Sequence, residues 1–345
     1  MSNYTITIVG AGVIGTSIGL ALKKQPEPLR VVGHDKDLTC AQAGVKRGAF
    51  DKAEWNLVNA CEKADLIILA IPLNGVRPTL EAIAPYLKQG VVISDTTTTK
   101  APVLEWASRL LPEHAHFVGG NPIVRPAGSG YQHAAADLFQ QRLYCLTPAP
   151  AASEQAVQVA VGLVALLGAE PFFLDAVEHD GLMTAVNQLP TLLSVALVNT
   201  LSSQGSWREM RKLAGGAFEQ LSRGASGDPD ALKDDFLTNP DNLVHWLDAY
   251  LVQLHKLRQL LSPDPELGEQ LAQTLDKAVV ARQNWLKDYQ AGRFVDPEPI
   301  SHTIARPGYW RQLNGIRRQR RFMSTWLSAP TRLSTPAGPP TSNGG

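Results

Sequence analysis

From Thr5 to about Pro148 one pattern repeats along the chain: a short β-branched apolar run, then a longer stretch with apolar positions at helical three-and-four spacing. That alternation predicts βαβ units around a parallel sheet. The apolar runs predict strands at 5–9, 29–33, 66–70, 91–94, 116–118 and 143–147, with another at 170–174. Leu66-Ile67-Ile68-Leu69-Ala70-Ile71 is apolar without alternation, as a strand covered on both faces must be. A doubly wound, parallel α/β Rossmann sheet follows. After Glu178 the strand pattern stops and helical spacing takes over at 180–201, 207–213, 229–237, 240–261 and 266–289, so the second part is all-α. From Asn242, the residues Leu243, Trp246, Leu247, Tyr250, Leu251, Leu254 and Leu257 form one broad stripe. Such a stripe usually faces a core, although a dimer interface has the same pattern. The expected division is a Rossmann domain at 1–177, a helical substrate and dimerisation domain at 178–293, and a tail at 294–345.

The first strand runs into Gly10-Ala11-Gly12-Val13-Ile14-Gly15, a G-x-G-x-x-G sequence that opens an apolar helix, and Asp35 closes the next strand twenty residues after Gly15. In that context the glycines predict a dinucleotide site. Gly10 allows the tight turn, Gly12 the approach of a pyrophosphate, and Gly15 close packing of helix on strand. The helix start at Val13 and Ile14 offers free N–H groups and a positive dipole end to the phosphates. Asp35 is placed to accept from the adenosine ribose hydroxyls and to repel a 2′-phosphate, which favours NAD over NADP. Ile71 and Pro72, after the third main strand, complete the cofactor-binding set.

Composition adds limits. A chain of 345 residues exceeds one comfortable core, and 44% hydrophobic with 19% charged residues is ordinary for a globular protein. The longest apolar stretch, 156–168, is too short for a membrane span, and the start lacks the features of a secretory signal, so the cytoplasm is expected. Cys40, Cys61 and Cys145 are odd in number and lack metal-ligand spacing, which predicts thiols and no metal site. Lysine plus arginine equals aspartate plus glutamate at 32 each, yet the last forty-five residues carry seven arginines and no acid. That Pro/Ser/Gly-rich ending reads as a solvated tail rather than a nucleic-acid arm.

Five further segments occur in order: Ala64-Asp65 through Ile71-Pro72; Asp95-Thr96-Thr97-Thr98-Thr99-Lys100; Gly119-Gly120-Asn121-Pro122 through Ser129-Gly130, followed by Leu138-Phe139; Glu178-His179-Asp180 leading to Asn187-Gln188-Leu189-Pro190-Thr191; and Ser222-Arg223-Gly224-Ala225-Ser226-Gly227-Asp228-Pro229. Over roughly residues 5–290 the chain resembles the prephenate/arogenate dehydrogenases of tyrosine biosynthesis. The resemblance implies NAD-dependent oxidation of a ring hydroxyl with loss of carbon dioxide, on a small carboxylated substrate. It implies that Thr98 takes the place of a serine beside nicotinamide and substrate, and that Arg223 binds the substrate carboxylate. The family's catalytic histidine, which takes the hydroxyl proton, is here Asn121. A carboxamide can orient a hydroxyl but has no usable pKa. Gln188 and Thr191 replace both histidines of the family's S-H-L-P-H segment, and Arg125 replaces a glycine in the substrate loop. His114, His116, His133 and Lys100 are other groups able to act as a base, while His179 reads as structural and Asp180 as a helix cap. Two alternatives stay open beside a slowed or retuned dehydrogenase of this type: a catalytically silent NAD-binding protein, and a dehydrogenase of another hydroxy acid with Lys100 as base. A homodimer through the helical domain is the expected assembly.

Overall fold

The computed structural model describes residues 4–26 and 29–291, so the expected basic tail lies outside the described residues. Strands β1 (Thr5–Val9), β2 (Arg30–His34), β3 (Lys52–Ala53), β4 (Leu66–Leu69), β5 (Val92–Asp95), β6 (His116–Pro122), β7 (Leu143–Pro148) and β8 (Glu170–Phe173) form one sheet. Their order is β3-β2-β1-β4-β5-β6-β7-β8, and all described neighbours are parallel except β6 and β7. The first six strands thus have the doubly wound order 3-2-1-4-5-6, whose switch point lies between β1 and β4. Helices α1 (Val13–Lys23), α2 (Leu38–Lys46), α3 (Leu57–Cys61), α4 (Leu73–Ile83), α5 (Ala101–Leu110) and α6 (Glu154–Leu166) make the connections. All of β4 is buried, and Ile67 and Leu69 pack with Val76, Leu80 and Ile83 of α4 and Val103 of α5. Each such side chain contributes about 1.5–3 kcal/mol by leaving water.

Two strand expectations need correction. The two-residue β3 has no apolar run and was not foreseen. Strand β6 continues past Val118 to Pro122 because it pairs antiparallel with β7, setting Asn121 opposite Cys145. Asn121 therefore stands in a hydrogen-bonded ladder.

The helical part comprises α7 (Ala176–Met183), a π-helical turn at Thr184–Gln188, α8 (Leu189–Ser202), α9 (Trp207–Leu213), α10 (Gly216–Ser222), α11 (Pro229–Thr238), α12 (Pro240–Leu260) and α13 (Pro265–Ala291). Helix α7 begins earlier than expected, capped by Asp175, whose carboxylate accepts from the N–H groups of Val177 and Glu178. Asp180 is therefore not the cap of its own helix. The helical run 176–202 is long and apolar enough to cross a membrane by length and composition. Its buried residues, however, are the polar His179, Asp180, Thr184, Gln188 and Ser194, a pattern suited to packing on a polar site.

The stripe on α12 does not face a core of this chain. Leu243 is buried, but Trp246, Tyr250, Leu251 and Leu254 are all exposed. On α13, Leu275, Val279, Val280 and Trp285 are exposed as well. The far end of α13 is tied to the sheet part, where the Arg142 guanidinium lies 4.8 Å over the Tyr289 ring.

Candidate active site

The glycine loop joins β1 to α1 at the switch point of the sheet. Gly10 has φ +102°, and a Cβ there would lie 2.2 Å from the Ala70 carbonyl oxygen and 2.9 Å from Ile71 Cγ2. A Cβ on Gly15 would lie 1.9 Å from the Gly10 oxygen. Both are glycine because the protein itself fills the space. Gly12 differs: nothing lies within 4 Å of where its Cβ would be. It is also the N-cap of α1 and supplies no capping side chain, so the first N–H groups of the helix, at Val13 and Ile14, are left without a side-chain cap. Asp35, just past β2, accepts from Ala11 N at 2.7 Å and Asp37 N at 2.9 Å, which holds its carboxylate beside the loop. Pro72 starts α4 on the other side of the switch point. An open cradle, an uncapped helix start and an acid on the neighbouring strand fit a dinucleotide with free ribose hydroxyls.

A second cluster forms where β5 and β6 end. Lys100 is wholly buried; its Nζ pairs with Asp95 Oδ2 and donates to the Gly120 carbonyl at 2.7 Å. Burial pushes the Lys100 pKa down while the Asp95 carboxylate opposes that shift. Asp95 also accepts from Gly120 N at 3.1 Å and from Thr97, through both its N–H and its hydroxyl. A Cβ on Gly120 would lie 2.6 Å from the Asp95 carbonyl oxygen, so glycine there lets the two strands close on each other. Thr97 and Thr99 are turned inward and Thr98 is half-exposed. The buried ion pair thus shapes the loop that presents Thr98. Lys100 is committed to structure and is not a free base.

Asn121 connects this cluster to the helical part. Its Nδ2 is 3.1 Å from His179 Nε2, and His179 Nδ1 is 2.8 Å from Asp180 Oδ1. Asp180 also accepts from Lys100 N at 2.6 Å and Ala101 N at 2.8 Å. It is a cap, but of α5, seventy-nine residues away in sequence from Ala101. Because Nδ1–H is donated to the carboxylate, His179 Nε2 carries the lone pair, and the Asn121 amide must turn its NH₂ toward it. No described residue hydrogen-bonds Asn121 Oδ1.

The remaining expected site residues divide into two groups. Gln188, at the end of the π-helical turn, is buried; it accepts from Thr184 at 3.2 Å and donates to the backbone oxygen and Oδ1 of Asp235 at 3.1 and 3.2 Å. The Thr184 hydroxyl also donates to the Asp180 carbonyl at 2.7 Å, joining this group to the Asn121 chain. Thr191 spends its hydroxyl on the Asn187 carbonyl, 2.9 Å away. Burial raises the Asp235 carboxyl, opposed by the Gln188, Thr98 and Thr99 side chains. Arg223 and Arg125 stand apart. Arg223, which caps the end of α10, has a side chain 58% exposed and pairs with Glu219 of that helix at 2.8 Å, and Arg125 is exposed on the loop after β6. His114 Nε2 donates to the Leu87 backbone oxygen, at 3.2 Å, rather than joining the cluster.

Residues 18–172 match the profile of the prephenate dehydrogenase nucleotide-binding domain, and residues 175–277 that of the prephenate dehydrogenase dimerization domain. A prephenate dehydrogenase of Bacillus subtilis is 30% identical over 256 residues, covering 74% of this chain and 69% of that protein. The chain belongs to the prephenate dehydrogenase family. A cyclohexadienyl dehydrogenase of Zymomonas mobilis is 27% identical over 259 residues, covering 74% of this chain and 88% of the relative. The crystal structure of Synechocystis arogenate dehydrogenase superposes with a TM-score of 0.67 at 25% identity, covering 81% of this chain and 99% of that one. A prephenate dehydrogenase from A. aeolicus, solved with hydroxyphenyl propionate and NAD+, has the same fold, with a TM-score of 0.75 at 23% identity over 82% of this chain and 99% of its own. The glycine motif at 10–15 lies ahead of the matched spans, so its role rests on the loop geometry. Within this prephenate dehydrogenase fold, sequence reasoning missed two groups. His179 and Asp180 had a signal, the Glu178-His179-Asp180 motif, but its helical placement hid their reach to Asn121. Asp235 had none.

Proposed function

We propose that this protein is an NAD-dependent oxidoreductase of the prephenate/arogenate dehydrogenase type, with a divergent site in which Asn121 orients the reacting hydroxyl without taking its proton. The observation that carries this reading is the buried chain Asp180–His179–Asn121 at the end of β6. It fixes which end of the carboxamide is free. The unpartnered oxygen accepts a hydrogen bond and so favours a ligand that donates one, which a ring hydroxyl does. Thr98, half-exposed on the neighbouring loop, supplies the second hydroxyl contact.

Gly10, Gly12, Val13, Ile14, Gly15, Asp35, Ile71 and Pro72 hold the dinucleotide, with Asp35 selecting NAD over NADP by charge. When bound, the nicotinamide provides the hydride acceptor. Of the polar substrate residues, Arg223 reaches a carboxylate only after leaving Glu219, and Gln188 acts through the residues it positions. The exposed apolar faces of α12 and α13 support a homodimer through the helical domain, whose start is proposed at residue 178, within α7. The family supports a cytoplasmic enzyme. Purified protein with NAD and prephenate or arogenate is expected to form NADH at a rate below an ordinary kcat of about 10 per second. Asn121→His is expected to raise kcat, with a pH dependence near about 6.5 from the new imidazole. NAD binding without turnover of either acid, in the wild type and in Asn121→His, overturns the enzymatic reading in favour of a binding protein.

A further inference from the structure

We propose that Arg47 and Ser17 are positioning residues that strap the substrate loop to the cofactor helices, so that NAD and the acid bind with positive coupling. This deepens the dehydrogenase reading and rests on it. The loop leaves β6 directly after Asn121 and Pro122 and carries Arg125. Its near end is fixed in the sheet, where Ile123 N donates to the Leu143 carbonyl at 2.9 Å. Its far end is fixed on α1 and α2. The Arg47 guanidinium donates through Nη1 to the Gln132 carbonyl at 3.0 Å and through Nη2 to the Ala134 carbonyl at 2.8 Å, and Ala135 N donates to Ser17 Oγ at 3.0 Å. Between these ends, the described hydrogen bonds include none donated by the backbone of residues 125–130.

Both anchors lead to the dinucleotide site. The Ser17 hydroxyl donates to the Val13 carbonyl at 2.6 Å, in the first turn of α1, so Ala135, Ser17 and Val13 form one hydrogen-bonded chain. Arg47 ends α2, whose N-cap Asp37 donates its N–H to Asp35 at 2.9 Å. The pyrophosphate end and the ribose end of the cradle are therefore each tied to the same loop. Arg47 spends its planar fork on two carbonyls at once, a task that a lysine ammonium does not reproduce. The loop also folds back on this anchor. A Cβ on Gly128 would lie 2.8 Å from Nε2 of His133, the residue between the two carbonyls that Arg47 holds.

A loop held mainly at its ends loses conformational freedom when a ligand orders it, and that loss opposes binding. A dinucleotide on the cradle immobilises the first turn of α1 and the start of α2, and with them the far anchor of the loop. The acid then meets a loop whose ordering is partly done, and binds more tightly. Reciprocity requires the acid to tighten NAD by the same factor.

The test uses the full chain, with 4-hydroxyphenylpropionate as the probe acid. NAD affinity measured by calorimetry should rise at least about fivefold when the acid is saturating, and acid affinity should rise by the same factor with NAD. Arg47→Ala combined with Ser17→Ala should bring the factor to about one, and Arg47→Lys, which keeps the charge without the fork, should lower it as far as Arg47→Ala alone does. Lys46→Ala, which removes the exposed cation next to Arg47, should leave it unchanged. No coupling in the wild type, or an undiminished factor in the double variant, overturns the strap. A second readout needs no acid. Amide hydrogen exchange across residues 124–135 should slow about tenfold when NAD saturates the wild type or Lys46→Ala, and should not respond to NAD in the double variant. Protection that survives in the double variant, or is missing from the wild type, overturns the strap. An acid that does not bind counts against the proposed substrate alone, because the exchange experiment reads the strap with NAD only.

Discussion

The sheet part and the helical part of this chain solve burial differently. In the sheet part, β4 is buried along its whole length, and even the charges at and after the carboxyl end of β5, Asp95 and Lys100, are paired out of water. In the helical part α9, α10, α11 and α13 bury no residue completely, and α12 buries only Leu243. A parallel sheet flanked by helices covers both of its faces within one chain. The long helices α12 and α13 leave apolar faces uncovered by this chain, with Trp246, Tyr250, Leu251 and Leu254 exposed on α12. The candidate site lies where the two regimes meet, with Asn121 and Thr98 from the first and His179, Gln188 and Asp235 from the second.

The largest effect should come from breaking the buried pair of the sheet part. Lys100→Met strands the Asp95 carboxylate and should cost about 3–5 kcal/mol in denaturant unfolding. The matching change in the helical part, Arg223→Met, removes an exposed pair with Glu219 and should shift stability by no more than about 1 kcal/mol. Comparable losses in the two variants would erase the contrast.

Charging the helical face tests its partner. Leu251→Glu with Leu254→Glu should weaken self-association at least about tenfold by sedimentation while leaving the nucleotide affinity of the sheet part intact. An unchanged sedimentation profile would mean that the face is not the interface.

Asp35→Ala isolates the cofactor end of the sheet part. The preference for NAD over NADP, followed by tryptophan fluorescence, should narrow by about tenfold, the worth of hydrogen bonds to a charged group. A gap that stays the same would remove Asp35 from the ribose.

The smallest effect is a pH dependence. Asp235 has a raised pKa in the folded state. The stability this contributes is full below the unfolded value of about 3.9 and is lost as pH rises through the folded value. Asp235→Asn stays neutral, so it should melt above the wild type at pH 7, with the difference shrinking toward acid. A wild type that melts higher at pH 7 would assign Asp235 a stabilising partner.

The amino-acid sequence by itself determined the apolar strands, the glycine turn and the long helices, because each is a local property, while β3 and the end of β6 depended on pairing. Apolar spacing reports which face of an element avoids water, and Gly10 and Gly15 report backbone approaches within one β-α unit. The sequence also determined that position 121 cannot titrate. Tertiary structure decided what surrounds it. His179 reaches Asn121 from fifty-eight residues away, and Asp180 caps a helix of the other part rather than its own. Asp235 joins Gln188 across forty-seven residues with no pattern to announce it. Tertiary structure also turned the α12 stripe outward and left Arg223 at the end of α10 with Glu219. Periodicity tells that a face is apolar or a group polar, but which partner it meets depends on how distant elements pack, and no local spacing encodes that.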